Sequence, residues 1–237
     1  MFTVSVSGVL LLFLIHHSTL KSVDGRNIDV NTLARIITFF EQNYKRFHRN
    51  GNELQYAVAI NVLTEQCRNG FQQDNFLTNE NARVVRMTIS NNEDPVYEGT
   101  ELIAAGIQRM YGYSLHSEYL LLNPTSLHPT TPMQTLLNLR NNSCTILYSL
   151  NSPCADLCLD RYHIFDGLRT WSEHSSIKAL VFKHVWRDDE INPQCLKNAL
   201  KEITKYVPLY RCRNDIECFD CEDPYGEIDF RCLINNY

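Results

Sequence analysis

The sequence has few of the residues that interrupt a folded chain. Its 237 residues include only 9 glycines and 8 prolines, and they contain no internal repeat, low-complexity run or block of like charges. These absences exclude collagen-like, coiled-coil and disordered chains. With 44% hydrophobic and 21% charged residues, the chain is long enough for one well-buried domain and short for two.

An excess of positive charge is also missing. The chain carries 22 lysines and arginines against 27 aspartates and glutamates, which gives a formal net charge of −5 at pH 7. A protein that coats nucleic acid non-specifically needs the opposite sign, because it binds by neutralising phosphates. Any contact with nucleic acid must therefore be made by a local patch.

No apolar run reaches the roughly 20 residues that a membrane span requires. The longest one, residues 4–15, has the length of the hydrophobic region in a secretory signal peptide. Small residues at Ser18, Ser22 and Gly25 offer cleavage points. We therefore expect a signal peptide over residues 1–25 and a single secreted domain over 26–237 that does not associate with membranes. The alternative is a buried N-terminal helix or an uncleaved anchor.

The nine cysteines are the most unusual feature of the composition. In an oxidising compartment they predict disulfides, and their odd number leaves at least one cysteine unpaired within the chain. If two bind a metal, up to three disulfides and one further thiol remain. The last four cysteines predict a stapled tail over residues 212–237, that is, a short segment held by disulfides, and they are Cys212, Cys218, Cys221 and Cys232. The Cys218-x-x-Cys221 spacing also fits half of a zinc ribbon. Secretion further makes Asn141, in the single Asn-Asn-Ser sequon, a predicted glycosylation site.

Hydrophobic periodicity predicts helices that alternate with strands, and residues 90–113 give mixed signals. Because strands joined by helical crossovers run parallel, this order predicts one α/β sandwich with a mixed sheet of five strands. Helices are predicted at 29–47, 115–123, 157–174 and 194–206, and strands at 53–62, 82–89, 144–150, 177–186 and 207–211.

Two short motifs carry the chemistry in this frame. His-Ser-Glu at 116–118 opens a predicted helix, and Ser-Pro-Cys at 152–154, with Cys158 beyond it, follows a predicted strand. An imidazole and two thiolates are three of the four ligands of a tetrahedral zinc, and three protein ligands with an open position are typical of catalytic zinc. The N-termini of helices also favour the thiolate form of cysteine.

Glu118, two residues beyond the imidazole, is placed to take a proton from a zinc-activated water and return it to a leaving group. The pairing of H-x-E with P-C-x-x-C is the signature of zinc-dependent nucleobase deaminases, and in this chain three residues instead of two separate the cysteines. Taken alone, H-x-E is often a solvated helix start, and Cys154 and Cys158 could instead form disulfides, with each other or elsewhere. Both motifs together and in this order favour the zinc site.

On these two motifs, the sequence resembles the AID/APOBEC-like branch of the cytidine deaminase superfamily, in particular its secreted, cysteine-rich vertebrate members. The resemblance implies a cytidine-deaminase-like three-layer α/β/α sandwich. It also implies that His116, Cys154 and Cys158 hold Zn²⁺ and that Glu118 is the catalytic proton shuttle.

The resemblance further implies where the substrate binds. The carbonyl of Ser152 would meet the amino group of a flipped base, and the backbone of Ser117 would meet its O2 atom. In the loop after the fourth strand, Trp186 could stack on a neighbouring base, worth about 1–3 kcal/mol, or it could close the strand as a core aromatic. Arg187 in the same loop could contact a phosphate, although the three acidic residues that follow it would repel one. Tyr111 and Tyr113, just upstream of the first motif, are candidates for pocket walls or for packing residues.

These features together predict a secreted zinc-dependent hydrolase that converts cytosine to uracil on single-stranded DNA or RNA. The resemblance alone suggests a role in host defence. One alternative is a secreted, disulfide-rich binding protein with a catalytically silent deaminase fold, although a structural zinc has no need of Glu118. The other is a deaminase of free cytidine or deoxycytidine, which the negative net charge favours. No protein partner is predicted.

Overall fold

The computed structural model of the chain describes residues 28–153, 164–213 and 217–235. The predicted signal peptide, the predicted ligands Cys154 and Cys158, and the first part of the predicted helix 157–174 lie outside these ranges. Helices α1 to α6 span Val30–Tyr44, Ala82–Thr88, Ser117–Leu122, Pro132–Asn138, Phe165–Glu173 and Pro193–Thr204. Strands β1 to β11 span Arg46–Phe47, Glu53–Leu54, Ala57–Leu63, Val96–Glu98, Leu102–Ala105, Gln108–Met110, Tyr113–Leu115, Ser143–Asn151, Ser176–His184, Leu209–Arg213 and Glu217–Asp220.

The central sheet has seven strands in the order β11-β10-β9-β8-β3-β5-β4. Strands β8, β9 and β10 run parallel to one another, and the other neighbours are antiparallel. The predicted mixed sheet with parallel later strands is therefore confirmed, but the predicted number of five strands is too low. The additional strands β4, β5 and β11 have only 3, 4 and 4 residues, too few for a periodic pattern to reveal them.

The predicted strand at 82–89 is wrong, because this segment forms helix α2. The side chain of Asn81 accepts hydrogen bonds from two backbone N–H groups of the first turn, at 3.0 and 3.2 Å, and so caps the helix. Val85 and Ile89, four residues apart, are buried, whereas Val84 is 48% exposed. Adjacent β-branched residues favour a strand, but burial follows the helical period here.

Helices cover both faces of the central sheet, which confirms the three-layer sandwich. On β8, Leu147 points into one core, which it shares with Leu168 of α5 and Leu200 of α6. The neighbouring residues Ile146 and Tyr148 point into the second core, against α1. The alternation of β8 thus buries both faces of the strand.

Helix α1 is fixed on the sheet by a buried charged cluster around Glu41. Its carboxylate accepts hydrogen bonds from Nζ of Lys183 at 2.7 Å and Nζ of Lys45 at 2.9 Å. The hydroxyl of Tyr56 donates to it at 3.0 Å, and the hydroxyl of Tyr148 also donates to it. Burial raises the pKa of Glu41, but these donors outweigh burial and hold the pKa at about 2. The carboxylate therefore stays charged in the folded protein.

Three disulfides join described cysteines, and Cys195 is the free thiol among them. One disulfide ties the turn after β3 to the start of β8, one crosses the β10–β11 hairpin, and one closes the tail. The two cysteines with zinc-ribbon spacing pair with other partners, so the predicted stapled tail is confirmed. The pairs are Cys67–Cys144, Cys212–Cys218 and Cys221–Cys232.

Candidate active site

The described parts of the two motifs lie together at the C-terminal end of β8. Strand β7 leads into His116, the N-cap residue of α3, whose backbone is extended at φ −74° and ψ 156°. Ser117 and Glu118 form the first turn of the helix and are buried. On the other side, β8 ends at Asn151, and Ser152 follows it directly.

The carboxylate of Glu118 is 2% exposed and is held by three side chains among the residues that the structure describes. Oε1 accepts hydrogen bonds from Nε2 of Gln55 at 3.0 Å and from the hydroxyl of Ser149, and Oε2 accepts one from the hydroxyl of Ser117 at 3.1 Å. A buried carboxylate without partners would cost several kcal/mol. The three donors offset this cost and fix the position of the carboxylate.

Gln55 is the centre of this network. Its Nε2 also lies 2.8 Å from the hydroxyl of Ser149 and 3.2 Å from that of Ser117. Its Oε1 accepts a hydrogen bond from the backbone N–H of Asn151 at 3.1 Å, which decides which end of the amide faces Glu118. No motif marks this glutamine. It occupies the break between β2 and β3, inside a segment predicted as one continuous strand.

The predicted substrate loop reaches the same site. The N–H of Ser152 donates to the carbonyl of His184 at 2.6 Å, and the N–H of Trp186 donates to the hydroxyl of Ser152 at 2.9 Å. The ring of Trp186 lies beside that of His116, with 6.5 Å between centroids and a tilt of 58°. Trp186 is half-buried and also packs against the core beneath α5 and α6. It therefore lies at the site and closes the strand as well.

The cysteine-rich tail supports this loop from behind. The side-chain amide of Asn235 accepts a hydrogen bond from the N–H of Val185 at 2.7 Å and donates one to its carbonyl at 2.9 Å. Arg211, which is 1% exposed, binds Asn235 at 2.9 Å and the carbonyl of Ile234 at 2.6 Å. The tail thus fixes the residue directly before Trp186, which no sequence motif indicates.

Two other sequence-predicted features lie apart from this network. Arg187 is exposed and pairs with Asp188 at 3.2 Å, which reduces its value as a phosphate contact. Asn141 is exposed in the turn before β8, at the opposite end of a nine-residue strand of roughly 30 Å. Its glycosylation stays a prediction.

The fit of zinc to this site depends on its donor set. Within the ranges 28–153, 164–213 and 217–235, no group of three or more His, Cys, Asp or Glu side chains could hold a metal ion. Cys154 and Cys158 lie outside these ranges, so the set of three predicted ligands stays a prediction. The described residues fit a zinc centre, because a half-buried imidazole at His116 stands two residues from the buried carboxylate of Glu118.

A mixed sheet between two helical layers, with a histidine and a buried glutamate opening a helix beside a central strand, defines a deaminase-like α/β fold. The family model for Secreted Novel AID/APOBEC-like Deaminase 1 matches residues 30–236, and the chain belongs to this family. Comparisons with curated proteins and with solved structures yield no match. The family is named as secreted, which agrees with the predicted localisation. Among the helices that the structure describes, none is long and apolar enough to cross a membrane.

Proposed function

We propose that the protein is a zinc-dependent cytosine deaminase that acts on single-stranded nucleic acid outside the cell. The reaction adds one water molecule to cytosine, releases ammonia and leaves uracil. The observation that carries the proposal is the buried carboxylate of Glu118, which three side chains hold beside His116. Membership in a family named for deaminases supports the same chemistry.

The alternative of a silent binding protein leaves this carboxylate without a purpose. Removing a carboxylate from water costs several kcal/mol, and an apolar side chain would fill the same space without that cost. Here Gln55, Ser149 and Ser117 are all committed to keeping Glu118 in place. Such an arrangement favours a group that must be presented repeatedly in one orientation.

His116, Cys154 and Cys158 would hold the zinc ion. When bound, zinc supplies the Lewis acidity that activates a water molecule near neutral pH. Glu118 would accept one proton at Oε2 from the attacking water and deliver it to N3 of the base. It would then accept a second proton from the hydroxyl group added at C4 and deliver it to the amino group, which leaves as ammonia while the C4 carbonyl of uracil forms. Oε1, held by Gln55 and Ser149, would keep the carboxylate in place through both transfers.

The residues around the carboxylate would bind the base. Ser152 is held at its N–H and at its hydroxyl, and its carbonyl would accept a hydrogen bond from the amino group of cytosine. The backbone of Ser117 would meet O2 of the base. Trp186, beside the ring of His116, would stack on a base of the same strand.

A deamination panel tests this proposal. The zinc-loaded protein would be incubated with single-stranded DNA, single-stranded RNA, cytidine and deoxycytidine, and uracil products would be read by mass spectrometry. Glu118→Gln keeps the shape of the side chain but cannot shuttle the proton, so its rate should fall by about 100-fold to 10,000-fold. The matched control is Glu173→Gln, at an exposed glutamate of α5, and it should keep full activity.

The outcomes separate the candidate functions. Uracil from the oligonucleotides, abolished in Glu118→Gln only, would support the proposal. Uracil products from the nucleosides alone would mean that the substrate is a free nucleoside and not a nucleic-acid polymer. No product from any substrate, with zinc bound, would overturn the proposal in favour of a binding protein.

A further inference from the structure

Strand β9 loses one of its two neighbours just before it reaches the candidate site. Among the described residues, β10 pairs with β9 as far as Arg211, opposite Phe182, whereas β8 continues beside β9 to Asn151, opposite His184. The backbone of Val185, one residue after β9, therefore has no described strand on the β10 side. Because Val185 is buried, its N–H and C=O groups need partners from elsewhere in the chain.

The side chain of Asn235 supplies both partners. Its Oδ1 accepts a hydrogen bond from the N–H of Val185 at 2.7 Å, and its Nδ2 donates one to the carbonyl of the same residue at 2.9 Å. A primary amide offers one acceptor and one donor side by side, as the backbone of a neighbouring strand does. Nη2 of Arg211 also donates to Oδ1 at 2.9 Å, which fixes the orientation of the amide. Asn235 thus continues the sheet by one residue beyond the point where β10 pairs with β9.

The backbone of Asn235 holds the other end of the same loop. Its N–H donates to Oε1 of Glu190 at 3.0 Å, five residues beyond Val185. Between these two points lies Trp186, whose N–H donates to the hydroxyl of Ser152 at 2.9 Å. The loop is therefore tied to the tail at both ends and to the second motif at Trp186.

Asn235 keeps its place because the tail is itself anchored on the sheet. The disulfide Cys221–Cys232 closes the tail three residues before Asn235, and both of its cysteines are fully buried. The guanidinium of Arg211, which is 1% exposed, donates to the carbonyl of Ile234 at 2.6 Å as well as to Asn235. Covalent and hydrogen-bonded links thus connect β10 with the tail and with Asn235.

We infer that Asn235 is a positioning residue for the candidate site, because it holds the loop of residues 185–190, and with it Trp186, in the conformation that binds the substrate. Loops with few such bonds open locally at a low cost in free energy, and a ligand binds only the fraction of chains whose loop is ordered. Asn235 acts through Val185 and Glu190 and not on the substrate itself. The inference rests on the proposed function in one respect, that the substrate binds beside Trp186.

Amide hydrogen exchange, followed by NMR, measures the opening of the loop without any turnover. The informative group is the N–H of Trp186, because its acceptor is Ser152 and not Asn235. In Asn235→Ala this N–H should exchange about fivefold to a hundredfold faster, since the loop loses two hydrogen bonds of ordinary strength to the side-chain amide. Asn198→Ala, at an exposed asparagine of α6 whose side chain also accepts a hydrogen bond, is the matched control and should exchange like the wild type.

A second variant tests the anchor of the tail. Joint replacement of Cys221 and Cys232 by alanine keeps Asn235 but releases the segment that carries it, so the N–H of Trp186 should again exchange faster, by a similar factor. The amides of β9 report on the whole sheet and should change less than Trp186 in both variants. Unchanged exchange at Trp186 in both variants would overturn the inference, whatever the activity. If the amides of β9 exchanged faster by the same factor as Trp186, the tail would stabilise the whole fold, and the positioning role would also be wrong.

The kinetics of uracil formation then connect the loop with the substrate. In zinc-loaded Asn235→Ala, KM for single-stranded DNA should rise by at least about threefold, because only the ordered fraction binds, while kcat stays within about twofold. Faster exchange with unchanged KM would refute the positioning role. Faster exchange in Asn235→Ala when the wild type forms no uracil would support the hold of Asn235 on the loop and refute only the deaminase proposal.

Discussion

Replacing Glu41 by glutamine removes the negative charge at the centre of the buried cluster while keeping the shape of the side chain. Lys183, whose side chain is only 10% exposed, would lose its closest acidic partner. Breaking a buried pair in this way typically costs about 3–5 kcal/mol. We expect the free energy of unfolding at pH 7 to fall by at least about 3 kcal/mol.

The pKa of Glu41 gives an independent value and a direction with pH. A fall of the pKa from 4.5 to about 2 on folding corresponds to roughly 3 kcal/mol of stability. Because the folded pKa is the lower one, this contribution is fully present above pH 4.5 and is lost as the pH falls towards 2. At pH 3 about 2 kcal/mol of it should already be lost. The gap in stability between wild type and Glu41→Gln should therefore narrow by that amount between pH 7 and pH 3.

Urea unfolding, followed by tryptophan fluorescence at pH 7, 5 and 3, measures this gap. Glu173→Gln, at an exposed glutamate, controls for the loss of one carboxylate elsewhere and should unfold like the wild type. A Glu41→Gln protein as stable as the wild type at pH 7 would refute the role of the cluster. A large gap that stayed constant down to pH 3 would refute the lowered pKa.

Three further changes test other parts of the structure. Gln55→Leu should lower kcat by about 100-fold through misplacement of the carboxylate, with KM and zinc content unchanged; an unchanged kcat would exclude a positioning role. Joint replacement of Cys67 and Cys144 by alanine removes a disulfide with a sequence separation of 77 and should lower the free energy of unfolding by about 4 kcal/mol. Cys195→Ala should change that free energy by less than about 1 kcal/mol. Equal unfolding midpoints for the double variant and Cys195→Ala would contradict this prediction. His116→Ala should abolish zinc binding, measured by metal analysis of the purified protein, and full zinc content would remove His116 as a ligand.

The elements that the sequence predicted well are those with long patterns. Strands β8 and β9 have nine residues each, and α1 has fifteen, so their apolar residues repeat often enough to define the period. Helix α2 has seven residues, and its sequence predicts a strand because Val84 and Val85 are β-branched and adjacent. Its burial depends on the tertiary contacts of Val85 and Ile89, which a local pattern does not contain.

The residues of the candidate site also differ in whether a sequence pattern can reveal them. His116 and Glu118 are separated by a fixed spacing and could be recognised as a motif. Gln55 and Asn235 act through side-chain contacts made across the fold, among them those to Glu118 and to Val185. No spacing in the sequence relates such partners, because the strands and the stapled tail bring them together only after folding.

The claim at the centre of this account is that the chain builds a catalytic zinc centre with one position left open. X-ray absorption at the zinc edge of the purified, secreted protein tests it directly. One zinc per chain with two sulfur ligands at about 2.3 Å and two nitrogen or oxygen ligands at about 2.0–2.1 Å is the predicted result. A protein without zinc, a site of four sulfurs, or a disulfide between Cys154 and Cys158 would contradict it.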